Sequence, residues 1–454
     1  MKVKQRSKKQ LAKNVRFQAL LILDEIEHNQ GYSNVLLNDF LKESPLSTLD
    51  NQLLVQMVYG VTQLRYRLDY YLNPFIKGKK IDDWIMTLLR LSVYQMTELD
   101  RIPEHAIINE AVTIAKTNGH QGLGNFVNAI LRNIQRQGLP KTSDIQDKTD
   151  YLSTHYSIEK WIVEYLLEMA EEEKTIAILE SLIERPFVSA RINGKPEDRA
   201  KIIEELQDEG YNVSEGVLSP YAIRVLSGNI VDSAAFIDGK ITVQDESSML
   251  VAPLGLPKEN QVALDACSAP GGKATHIAQM IPGGHLDALD ISKAKLAKVA
   301  EHAERMQLND IVMTHVADAT TFQPEEETKY DVIYVDAPCS GLGLMRRKPE
   351  IKYEKSMADI NALKDIQLAI LDNVAPYLKD NGILIYSTCT ITIEENEFLL
   401  QDFLEGQSDF INKPISSDEV SNPNIITKKG HVRVWPDEFM TDGFFIARME
   451  KKVK

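Results

Sequence analysis

From about residue 241, short apolar runs alternate with amphipathic helical stretches, an order that few architectures accept. The runs at 262–265, 285–290, 311–315, 332–335 and 383–386 read as strands, with helices predicted over 273–280, 293–306 and 359–378. Strand–helix–strand units of this kind assemble into a doubly wound, Rossmann-like α/β sheet with helices on both faces. Residues 443–448 are expected to add an edge strand. In such sheets ligands bind outside the carboxyl ends of the strands, so the residues that follow each strand carry the functional information.

The chain has only three cysteines, and two of them follow strands in matching contexts, Asp336-Ala337-Pro338-Cys339 and Tyr386-Ser387-Thr388-Cys389. A zinc site is disfavoured because no C-x-x-C pair is present, so no metal is expected. A structural disulfide is disfavoured too, since a large, cysteine-poor chain without a secretory signal belongs in a reducing, cytoplasmic compartment. A free cysteine is commonly just a small buried hydrophobe. Two at neighbouring strand ends suggest covalent chemistry instead. No apolar run is long enough to cross a bilayer.

After the first strand, Cys267, Ser268, Ala269, Pro270, Gly271, Gly272 and Lys273 form a Gly-rich turn that opens a helix, where free N–H groups can meet a ligand. Asp290 ends the second strand, where a carboxylate typically bonds ribose hydroxyls, and Asp318 follows the third, within expected reach of an adenine. Together these predict an adenosine-containing cofactor. The G-x-G-x-x-G of dinucleotide folds is missing, which weighs against a nicotinamide enzyme with a catalytic cysteine. The fourth strand favours methyl transfer to a pyrimidine. Cytosine C5 becomes nucleophilic only after a thiolate adds to C6, and a carboxylate at N3 eases that addition. Asp336, Cys339 and Cys389 supply these parts, and S-adenosyl-L-methionine would supply the methyl group.

A chain of 51.2 kDa should hold two or three domains. Residues 1–140 read as all-α, with Val15, Ala19, Ile22 and Ile26 lining one helix face and further helices at 51–59, 84–96, 105–116 and 125–135. Residues 141–240 read as a polar linker, a helical stretch at 158–184 and a small α+β module of ferredoxin-like or RRM-like type. Residues 241–454 form the α/β domain. The net charge of -15 argues against indiscriminate coating of nucleic acid. Local basic groups remain: Lys2, Lys4, Arg6, Lys8, Lys9, Lys13 and Arg16 in an N-terminal arm, and Arg346-Arg347-Lys348, expected at the crevice.

Several motifs resemble those of one family. Val243-Gln244-Asp245-Glu246-Ser247-Ser248, the run from Asp265 through Lys273, the run from Asp336 through Gly343, and Ser387-Thr388-Cys389-Thr390 are similar to motifs of the RNA cytosine-C5 methyltransferases of the Sun/NOL/NSUN group. The runs from Ile102 to Val112 and from Asn125 to Arg132 resemble the NusB RNA-binding domain. The resemblance implies that Cys389 is the nucleophile and that Cys339 assists product release. It further implies that Cys267 through Lys273, Asp290, Asp318 and Asp336 contact S-adenosyl-L-methionine. A monomer acting on small-subunit (16S) ribosomal RNA is expected. Transfer RNA, large-subunit rRNA, or a catalytically silent RNA-binding and assembly role remain alternatives. Glu350 and Thr390 stand where the family more often has Asp and Ser.

Overall fold

The computed structural model describes residues 11–29, 31–325 and 328–453, which divide into two compact units. The first comprises residues 1–183 together with Arg347–Glu354. Its helices include Val15–Asn29, Thr48–Gln63, Asp83–Glu98, Glu104–Ile114 and Gln121–Gln137, around a core containing Leu20, Leu54, Leu88, Ile108 and Leu131. Two helices escape the sequence reading, Ser33–Lys42 and Arg65–Ile76. The second buries Leu68, Leu72 and Phe75 at helical spacing, but it is rich in Arg and Tyr, and Pro74 lies inside its last turn. The predicted segment at 158–184 breaks at Ala170 into Lys160–Met169 and Glu172–Ile183.

The helical unit runs past the expected boundary at 140 because the helix Lys148–Tyr156 is hydrogen-bonded into it, the Arg67 guanidinium donating to the His155 carbonyl at 2.7 Å through Nε. It also takes in Arg347–Glu354. Within this unit Glu350 accepts the Ser33 N–H at 2.6 Å, buried Lys352 donates to the Gln63 carbonyl at 2.8 Å, and the Tyr353 hydroxyl donates to the Thr62 carbonyl at 2.8 Å. The basic triplet is therefore split between the two units and is not a uniformly exposed cluster. Arg346 is only 4% exposed and donates to the Pro436 carbonyl, and Lys348 stacks over Tyr32. Arg16 is not part of a solvated arm either, since its Nε donates to Gln95 at 2.6 Å. Lys2 through Lys9 lie outside the described residues.

The second unit comprises residues 184–346 and 355–454. It opens with β1 (Val188–Ile192), β2 (Asn212–Glu215), β3 (Ala222–Ser227) and β4 (Ile241–Val243), an antiparallel sheet in the order β2-β3-β1-β4 with the helix Arg199–Asp208 between β1 and β2. This is a βαββαβ ferredoxin-like module. Residues 241–243, assigned from sequence to the α/β domain, complete its sheet.

The larger sheet contains β5 (Val262–Asp265), β6 (His285–Asp290), β7 (Val312–Val316), β8 (Tyr330–Asp336), β9 (Leu378–Thr388), β10 (Phe410–Asn412), β11 (Val432–Val434) and β12 (Phe444–Lys451). Its order is β7-β6-β5-β8-β9-β12-β10, with β11 also paired to β12. β7, β6, β5, β8 and β9 run parallel, and β12 is antiparallel. The order reverses between β5 and β8, the point at which doubly wound sheets open a crevice. β12 is not the expected edge strand: it lies between β9 and β10. Its run Phe444-Phe445-Ile446-Ala447 is buried on both faces, as an interior strand requires. Among the described residues no helix is long and apolar enough to cross a membrane.

Candidate active site

At the end of β5 the chain turns into the helix Gly272–Met280. Gly271 has φ 109°, and a Cβ there would lie 3.0 Å from the Val299 Cα, so the turn depends on glycine. Ser268 ties the turn to β6, donating to the Leu289 carbonyl through its N–H at 2.8 Å and its hydroxyl at 2.9 Å. Asp290, half-buried at the end of β6, accepts the Ser292 N–H at 2.7 Å. Asp318 is exposed after β7. There the Thr320 hydroxyl and N–H donate to it at 2.7 and 2.9 Å and hold its carboxyl below the usual range.

Lys273 and Asp336 join the two sides of the crevice. The Lys273 ammonium lies 2.7 Å from Asp336 Oδ2, while the Ser387 hydroxyl donates to Asp336 Oδ1 at 2.8 Å. Burial pulls the ammonium pKa down, but the charge and hydrogen bond of Asp336, with Cys389 and Asp265, together outweigh it, so it is raised overall.

The two strand-end thiols meet, with Cys339 Sγ 3.2 Å from Cys389 Sγ. The hydrogen bond to Cys389, then burial, drives the Cys339 pKa up, and either sulfur can donate across the pair. The third cysteine differs. Burial, then the surrounding negative charge of Asp265, Asp336, Asp290 and Asp318, keeps Cys267 a neutral thiol.

What holds the thiols together is a residue the sequence reading did not single out. Glu395, fully buried, accepts the Ser340 N–H at 2.8 Å, the Ser340 hydroxyl at 2.5 Å, the Thr392 hydroxyl at 2.8 Å and the Gln367 amide at 3.0 Å. One carboxylate thus pins the loop after Cys339 to the loop after Cys389. The Cys389 carbonyl also accepts the Gly343 N–H at 2.9 Å, and a Cβ on Gly343 would sit 2.7 Å from that oxygen. The only sequence signal was a pair of threonines, Thr390 and Thr392, followed by an acid. Glu395→Ala should cost about 3 to 5 kcal/mol of stability, because it leaves several buried donors without an acceptor. Urea unfolding of the full chain measures this, and a loss under about 1 kcal/mol would show the network to be dispensable.

Asp265 is the other residue passed over. It is 1% exposed; its Oδ1 accepts the Cys267 N–H at 3.4 Å, and its Oδ2 has no partner. Burial, then the nearby Asp336 charge, pushes its pKa up to about 7. It ends a strand as Asp290 and Asp336 do, so the same reasoning would have found it.

Comparison with known proteins adds an independent line. Residues 253–450 match a model described as 16S rRNA methyltransferase RsmB/F, residues 13–136 match the NusB family, and residues 158–232 match the RsmF/B-like ferredoxin-like domain. A probable ribosomal RNA small subunit methyltransferase B from Bacillus subtilis is 41% identical, the match covering 97% of this chain and 99% of that protein. One from Synechocystis is 30% identical over 95% of this chain and 98% of its own length. The crystal structure of PH0851 superposes with TM-score 0.82 at 25% identity, over 97% of this chain and 99% of that one. The fold is shared with NSun6 from Pyrococcus horikoshii, solved with SFG, at TM-score 0.57 and 23% identity over 64% of this chain and 98% of that one.

Proposed function

Since the chain belongs to the RsmB/F family of 16S rRNA methyltransferases, we propose that it methylates C5 of a cytosine in small-subunit ribosomal RNA with S-adenosyl-L-methionine as donor. The observation that carries this reading is the 3.2 Å pair of Cys339 and Cys389 beside the Lys273–Asp336 ion pair.

The crevice suits the cofactor. Asp265 Oδ2 is a buried acceptor with no partner, and Asp265, Asp290, Asp318 and Asp336 together favour a ligand of net positive charge. Cys267 through Lys273 would hold its amino-acid portion, Asp290 its ribose and Asp318 its adenine. Ile291, 73% exposed beside Asp290, offers apolar surface to the ring. When bound, S-adenosyl-L-methionine supplies an electrophilic methyl group.

This chain's residues prepare the base to accept it. Cys389 attacks C6 as a thiolate, forming an S–C6 bond while the ring's electrons move toward N3. The negative charge that the attack puts on N3 is neutralised by a proton from the Lys273 ammonium, relayed through the Asp336 carboxylate 2.7 Å from it. Once C5 carries the methyl group, its proton passes to a solvent water, the C5–C6 double bond reforms, N3 returns its proton to the Asp336–Lys273 pair, and the Cys389 sulfur leaves as a thiolate. Cys339, a thiol at 3.2 Å, assists that release by donating to the departing thiolate. The target base must leave its stack, which costs a few kcal/mol and favours a loosely held nucleotide.

Residues 1–140 would grip the RNA, 141–240 would supply a linker helix and the small α+β module, and 241–454 would catalyse. A deletion of 1–140 is a poor test of that division, because Arg347–Glu354 packs within the helical unit.

The decisive assay incubates full-length protein, unmodified small-subunit rRNA and S-adenosyl-L-methionine, then applies bisulfite sequencing. The expected result is a discrete bisulfite-resistant cytosine. Methyl incorporation without bisulfite resistance would place the methyl group elsewhere than C5.

A further inference from the structure

Arg191 lies on β1 of the ferredoxin-like module, far in sequence from the crevice, and is fully buried. Its guanidinium donates to the Gln244 side-chain oxygen, to the Gly272 carbonyl, and to the Thr275 hydroxyl at 3.0 Å. The Thr275 hydroxyl donates in turn to the Gly271 carbonyl at 2.8 Å. All these acceptors are neutral. No acidic side chain among the described residues pairs with Arg191, and its Nε has no partner. Burying a cation without a counter-ion costs several kcal/mol, so a bare structural brace is a poor reason to keep one.

The geometry gives a better reason. In a trans peptide the C=O and N–H point in opposite directions. Pinning the Gly271 and Gly272 carbonyls from behind therefore aims the N–H groups of Gly272 and Lys273 the other way, out of the first turn of the helix, where no helix carbonyl can accept them. Arg191 thus stands behind a pair of oriented donors and adds a positive charge to them. Such an arrangement attracts an anionic group placed in front.

We propose that Arg191 is a positioning residue through which the ferredoxin-like module completes the cofactor site, aligning the Gly271–Gly272 turn for the carboxylate of the cofactor's amino-acid portion. The inference rests on the cofactor reading above. Other side chains fix the module against the two helices that follow β5 and β6: Gln279 donates to the Gly194 carbonyl, and Arg305 donates to the Ile241 carbonyl at 2.9 Å and packs over Phe236 at 4.1 Å. The charge behind the turn is therefore held in place.

The test compares two ligands on the full chain by calorimetry: S-adenosylhomocysteine, which carries the carboxylate, and methylthioadenosine, which lacks the amino-acid portion. Arg191→Met should weaken S-adenosylhomocysteine about tenfold to a hundredfold, and methylthioadenosine by no more than about threefold. Arg191→Lys should recover part of the loss. In turnover, KM for S-adenosyl-L-methionine should rise with kcat and KM for RNA little changed. If Arg191→Met does not fold, Thr275→Val decides, because it removes the hydroxyl that relays Arg191 to the Gly271 carbonyl while keeping the buried charge and its bond to the Gly272 carbonyl; the Thr275 N–H still reaches the Gly271 carbonyl at 2.9 Å. The same preferential loss of S-adenosylhomocysteine is expected there. Equal weakening of both ligands, or of neither, in a folded variant overturns the inference. A wild-type chain that binds neither ligand would instead overturn the cofactor reading.

Discussion

Replacing Cys389 with alanine is expected to slow methyl transfer at least about ten-thousandfold, ~5.4 kcal/mol of barrier, because C5 is not nucleophilic until sulfur has added to C6. Cofactor affinity should be unchanged, since the acceptors and donors assigned to it come from the ends of β5, β6, β7 and β8, whereas Cys389 follows β9. Single-turnover assays with labelled methyl donor read the first quantity, and calorimetry with S-adenosylhomocysteine the second. Turnover within a hundredfold of wild type would remove Cys389 from the nucleophile's role. Loss of cofactor binding would show that the thiol supports the crevice instead.

Asp265→Asn should move stability and cofactor affinity in opposite directions. A carboxyl whose folded pKa is about 7 keeps its proton between pH 4 and 7 while the unfolded chain releases it. The folded state then binds more protons, so stability falls as pH rises through that window. The penalty is complete above pH 7, where it amounts to about 4 kcal/mol. Asparagine has nothing to ionise. The variant should therefore unfold at higher urea than wild type at pH 8 and at nearly the same urea at pH 4. It should also bind S-adenosyl-L-methionine about tenfold to a hundredfold more weakly, having lost a charged acceptor. Wild-type affinity in the variant would place the cofactor's cationic groups away from Asp265. Equal urea midpoints at pH 8 would show that the buried carboxylate finds compensation.

Much of this was legible in the sequence where chemistry and local pattern coincide. β5 and β6 begin and end where their apolar runs do, and the contexts of Cys339 and Cys389 put each just after a strand, though not which strands pair. What escaped depends on tertiary contacts. β12 was taken for an edge because it comes last in the chain, yet position along the chain does not set position in a sheet. Arg346-Arg347-Lys348 looked like one basic group at the crevice because charge is visible in sequence and burial is not. Glu395 and Arg191 act through partners distant in sequence: Glu395 on Ser340 and Gln367, Arg191 on Gln244, Gly272 and Thr275. Single-residue reasoning sees only an acid in a helix and a base in a strand.

The account rests centrally on division of labour between two thiols 3.2 Å apart, and trapping the covalent species tests it most directly. Cys339→Ser, incubated with small-subunit rRNA and S-adenosyl-L-methionine, should accumulate a protein–RNA complex that survives denaturing electrophoresis, because release slows while addition continues. Digestion and mass spectrometry should place the modified base on Cys389. If Cys389→Ser accumulates the complex instead, with the base attached to Cys339, the roles assigned to the two sulfurs are contradicted.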